Sequence, residues 1–118
     1  MDSKKAVQNY IFAERAKVNM IAASQMTAVL SDFKGAEKTG AKKMIDILLN
    51  IFQSDLELGF KTTGSKEFSE AVSIIDEVKK MIENEDFSDA SNQIGIAITK
   101  VTTPAQEAWQ KLSENELV

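Results

Sequence analysis

The chain has no cysteine and no histidine, and it spends one proline and five glycines over 118 residues. Without cysteine there is no disulfide and no thiolate nucleophile. Without histidine the usual general base near neutral pH is missing, as are the commonest zinc, haem and di-iron ligand and the imidazole of a phosphorelay. Ser-His-Asp and Cys-His catalytic arrangements are excluded, and no glycine-rich dinucleotide fingerprint, Walker-type loop or zinc spacing occurs. Long apolar runs are missing too. The densest, Met44 to Phe52, is interrupted by Asp46 and Asn50 and falls short of the roughly 18 apolar residues of a bilayer span, so no membrane span is expected. Met1, Asp2, Ser3, Lys4 and Lys5 lead into a mixed, periodic stretch and not an apolar leader. A cytoplasmic location is the expectation, and the lack of cysteine is compatible with a reducing compartment.

What is present suits an ordered globular chain: 43% hydrophobic and 27% charged residues. The length predicts one helical-bundle domain over residues 1–118. The net charge of −4 is unevenly spread, about neutral up to Phe60 and strongly acidic beyond it. An acidic surface repels phosphate, so nucleic acid is not an expected partner.

Glycine and proline punctuate the pattern into four segments. The first, about Ser3 to Phe33, carries Val7, Ile11, Val18, Ile21, Ala22 and Val29 on one stripe and Phe12, Ala16, Ala23, Met26 and Leu30 on an adjoining one, spacings that predict a helix with a wide buried face. The second runs from after Gly40 to about Leu58 on Ile45, Leu48, Phe52 and Leu56, widened by Met44, Ile47, Leu49 and Ile51, and is predicted to be the most buried; Gly59 to Gly64 then read as a loop. Ser65 is a natural N-cap for a third helix built on Phe68, Val72, Ile75, Val78 and Ile82. A polar turn over residues 84–89 leads into a fourth stripe through Phe87, Ala90, Ile94, Ile98, Val101, Ala105, Ala108 and Leu112.

Within that last segment Ile94, Ile96 and Ile98 alternate with Gly95 and Ala97 and run on to Thr99, Val101, Thr102 and Thr103, which is β-branched strand composition. A strand needs a partner and no other segment alternates at period two, so helix is the reading. Pro104 denies one regular backbone hydrogen bond, and Thr103, Pro104 and Gln106 make a capping-box start. The expected fold is all-α, an antiparallel up-down four-helix bundle with its last helix kinked or restarted at Pro104.

No residue set reads as catalytic, cofactor-binding or metal-binding. Glu67-x-x-Glu70 with Asp86-x-x-Asp89 resembles the magnesium-binding carboxylate pairs of MazG-type pyrophosphatases, but on one helix the pairs would stand roughly 25 to 30 Å apart, far beyond a shared ion. Three carboxylates, Glu14, Asp46 and Asp55, lie beside or within the apolar stripes and are candidate polar groups in the core. Phe12, Met26 and the single indole, Trp109, are candidate interface residues. The apolar surplus of the first two helices favours a non-enzymatic interaction or assembly protein that associates with itself, as a dimer, or with another protein. Two other classes compete with it. One is a small-molecule- or metal-binding bundle, hydrolytic in one version, using inward carboxylates. The other is a chaperone-like groove for a partner helix.

Overall fold

A residue with three- and four-residue spacing on one face makes a helix only where nothing stops the chain, and here the stops are few. The computed structural model describes residues 3–114, leaving aside the side chains of Pro104, Ala105, Ala108 and Lys111. Four helices result: α1 (Ser3–Ala28), which tightens into a 3-10 turn over Val29–Asp32, α2 (Gly35–Thr63), α3 (Lys66–Glu83) and α4 (Phe87–Glu114). Among the described residues there is no strand. The isoleucine and threonine tract is helix, with Thr99, Thr102 and Thr103 folding their hydroxyls back onto backbone carbonyls of the preceding turn.

The second helix is longer than its glycines suggest. Gly40 and Gly59 lie inside α2, because one glycine in a helix interior costs only about 1 kcal/mol relative to alanine and the apolar period continues across both. The real stop is Gly64, at φ 72°, whose N–H donates to the Phe60 carbonyl at 2.7 Å. Ser65 takes the extended N-cap position of α3, yet its hydroxyl caps nothing; it donates to the Asn9 amide oxygen of α1 at 2.8 Å. The α3–α4 turn has a Schellman geometry: the Asp86 N–H reaches the Met81 carbonyl at 2.8 Å and the Glu85 N–H reaches that of Ile82 at 3.0 Å. Glu85 sits at φ 62°, where glycine is the usual residue.

Each helix packs on two others, α1 on α4 and α2, and α3 on α4 and α2, with α1 and α4 the most extensive pair. Matched contacts run in opposite order along the chain. Tyr10 meets Trp109 while Ser24 meets Ser91; Phe12 lies against Gly59 while Arg15 meets Asp55; Asn50 meets Lys79 while Gln53 meets Asp76. The core is one cluster from all four helices, centred on Met20, Leu30, Leu49, Phe68, Ile75, Ile94 and Val101. A satellite of Ala6, Leu112 and Tyr10 closes one end. The body measures 54 × 21 × 17 Å, a rod about two helices thick.

Helix α1 does not bury the stripe that its bulk predicts. Its inner face is Ala6, Asn9, Ala13, Ala16, Met20, Ala23 and Thr27, mostly small, while Val7, Ile11, Val18, Ile21 and Val29 are exposed. Small side chains let two backbones approach closely, and Ser24 and Ser91, whose hydroxyls lie 2.9 Å apart, extend the same tight seam to α4. Nor is α2 the most buried helix, since Met44, Ile47, Ile51 and Leu58 all face out. Helix α4 runs unbroken across residue 104. The bend expected there turns on the Pro104 ring, which lies outside the described side chains.

Candidate functional site: the outer face of α1 and α2

On α2, Gly40, Met44, Ile47, Ile51, Ser54 and Leu58 recur at alternating steps of four and three, which places them on one line along the helix. That line is separate from the inner line of Ile45, Leu49, Phe52 and Leu56. Its aliphatic members are open to solvent, with Met44 71%, Ile47 60% and Ile51 59% exposed. On α1 the matching line is Val7, Ile11, Val18 and Ala22, continued by Val29 at the start of the 3-10 turn, and Val18 is 62% exposed.

Two contacts fix how the lines sit together. Phe12 packs onto Gly59, where an added Cβ would lie 3.3 Å from its ring, and the Arg15 guanidinium pairs with the Asp55 carboxylate. Counting along the two antiparallel helices from this register, Ile11 is level with Leu58, Val18 with Ile51, Ala22 with Ile47, and Met26 with Met44. Arg15 stands one turn from Ile11 and Val18, and Asp55 stands one turn from Ile51 and Leu58. The result is a largely aliphatic face, two helices wide, with one ion pair at its middle and the exposed polar residues Gln25 and Ser54 on its lines. A second contact holds Arg15 in place: its guanidinium lies 4.9 Å over the Phe12 ring, which meets Phe68 edge-on at 6.3 Å.

The other candidates fall in different places. Phe12 is half-buried under Arg15, between α1, α2 and α3. Met26 is exposed at the α1 edge of the apolar face. Trp109 is 49% exposed and tilts against Tyr10 with ring centroids 5.7 Å apart. Both rings border a surface hollow of about 430 Å³ shared with Glu14, Lys17, Thr102 and Gln106. Of the three carboxylates, Glu14 lies in the α1–α4 groove and pairs with Lys17 at 3.2 Å, Asp55 lies in the α1–α2 groove with Arg15, and Asp46 lies exposed in the α2–α3 groove near Lys42 and Lys79. The structure does not bring them together. Among the described residues no group of three or more acidic side chains could hold a metal ion, and no helix is long and apolar enough to cross a membrane.

The lysines that cluster in the sequence at 34–43 stand at the start of α2 beside the end of α3. Lys38 pairs with Glu85 at 2.6 Å, and Lys42 donates to the Glu83 carbonyl at 3.3 Å, which neutralises the negative end of that helix. The Lys38 hydrogen bond and charge hold the Glu85 carboxyl below its ordinary value, aided by Lys42.

The sequence pattern gives no role to Arg15 and shows an apolar surplus on the first two helices without saying which stripe of each is left over. The signal that separates them is size: α1 has two candidate faces, and its bulkier aliphatics lie on the one that the intrachain partners do not use.

No family model, no curated protein and no solved structure matches the chain.

Proposed function

We propose that this chain is a non-enzymatic assembly module, an antiparallel up-down four-helix bundle bent at Pro104, that pairs with a second copy of itself through the outer face of α1 and α2. The observation that carries the reading is the inside-out distribution of bulk on α1, with alanines inward and Val7, Ile11, Val18 and Val29 outward, level with an equally open aliphatic line on α2. Single exposed aliphatics are ordinary, whereas a contiguous patch on two adjacent helices marks an interaction surface.

Size supports a second copy as the occupant. From Val7 to Val29 the face is about 33 Å long at about 1.5 Å per residue. Two axes about 8–10 Å apart make it about 20 Å wide. That gives a footprint of roughly 650 Å², close to the ~800 Å² per partner of a stable interface. Closed pairing through one self-complementary patch is also the commonest form of oligomer. Sedimentation velocity from low to high micromolar concentration tests the reading. The expected result is a dimer that Ile51→Glu converts to monomer while Ile96→Glu, an exposed aliphatic on α4, leaves it intact. A wild-type chain that stays monomeric throughout overturns it.

A further inference from the structure

We infer that the two copies are related by a two-fold axis running parallel to the helices, so that Arg15 of each copy lies on Asp55 of the other. This inference rests on the self-pairing read above and adds its geometry and its specificity element.

A patch that meets itself face to face does so about an axis lying in the contact plane, and two limiting directions are open. An axis across the helices stacks α1 on α1 and α2 on α2. An axis along them stacks α1 on α2 and α2 on α1. The apolar side chains do not choose between the two, because Ile11, Val18, Ile51 and Leu58 stand at the four corners around the ion pair and either operation lays aliphatic on aliphatic. The charges do choose. Arg15 on α1 and Asp55 on α2 face each other across the groove at the centre of the patch. The crosswise axis sets guanidinium on guanidinium and carboxylate on carboxylate, and like charges enclosed by apolar surface repel strongly. The lengthwise axis makes a ring of four groups alternating in sign, in which each planar guanidinium lies between two carboxylates. The geometry of the free chain already favours this ring. Arg15 is held over Phe12 and its side chain stays half-open, while that of Asp55 is mostly covered.

The test exchanges the charges. A chain carrying both Arg15→Asp and Asp55→Arg keeps its internal pair and so keeps its fold. With the lengthwise axis it forms dimers with itself about as tightly as the wild type does, and mixing it with labelled wild-type chain gives almost no mixed dimer. Each single substitution alone weakens self-association at least about tenfold, and an equimolar mixture of the two single variants recovers the dimer. Fluorescence-detected sedimentation of the labelled chains reads all of these. Preferential pairing of the doubly exchanged chain with wild type overturns the lengthwise axis in favour of the crosswise one. Single variants that dimerise as tightly as wild type overturn any central role for the pair. Both results leave the self-pairing reading standing as long as Ile51→Glu abolishes the dimer, whereas a monomeric wild-type chain removes that reading itself.

Discussion

Arg15 reaches across the α1–α2 groove to Asp55 while its guanidinium lies on the Phe12 ring, so one side chain joins the apolar face to the core beneath it. In the separate chain this pair lies at the surface, half-open on the Arg15 side, and surface ion pairs contribute about 0–1 kcal/mol. Arg15→Gln and Asp55→Asn are therefore expected to lower unfolding stability by less than about 1 kcal/mol in urea titrations at submicromolar concentration. A much larger loss in dilute solution would mean that the pair serves the fold of the single chain and not its association.

Thr27 is fully buried on the inner face of α1, and among the described residues its hydroxyl has no hydrogen-bond partner. An unsatisfied buried hydroxyl costs about 1–3 kcal/mol, and valine has nearly the same shape without the polar group. Thr27→Val is expected to stabilise the chain by about 1 kcal/mol, read as a rise in the urea midpoint with unchanged slope. A lowered midpoint would show that the hydroxyl is satisfied in solution.

Glycines 59 and 95 both lie inside helices, but their surroundings differ. Among the described residues a Cβ at Gly95 meets nothing within 4 Å, whereas one at Gly59 lands 3.3 Å from the Phe12 ring. Gly95→Ala should raise stability by up to about 1 kcal/mol through helix propensity. At Gly59 the same gain is opposed by displacement of a ring packed on Phe68, and Gly59→Ala should fall short of Gly95→Ala by about 1 kcal/mol or more. Thermal denaturation of the two variants side by side checks the order.

Glu85 combines a left-handed backbone with a paired carboxylate. Its folded-state carboxyl is held below the ordinary value of 4.5 by the Lys38 hydrogen bond and charge, so the linked stabilisation is present above about 4.5 and is lost as pH falls through the lowered value. Glu85→Gly removes the positive-φ cost of roughly 1–2 kcal/mol and also removes the pair. The melting temperature of this variant should exceed that of wild type, and by a wider margin at pH 3 than at pH 7. A margin that shrinks on acidification would contradict the sign.

Helix content was legible from the spacing of the apolar residues, including the isoleucine and threonine tract, where the lack of any second alternating segment outweighed strand composition. The ends of α2 were not, because Gly40, Gly59 and Gly64 look alike in a sequence and differ only in φ and in what would touch a Cβ. The burial of α1 was misjudged for a physical reason. Periodicity reports that a face is apolar but not which neighbour will cover it, and the close approach of α4 selects alanine over valine and isoleucine. The positions of Glu14, Asp46 and Asp55 in three separate grooves follow from helix phase together with the order of packing, and only the first of these is written in the spacing.

The tight seam between α1 and α4 also bears on how the molecule is made. During synthesis α1 leaves the ribosome first of the four, and the surface it fits best arrives only when α4 emerges, 52 residues after the start of α2. Until then its alanine face gains little from collapse, and the inner line of Ile45, Leu49, Phe52 and Leu56 on α2 waits for α3 and α4 as well.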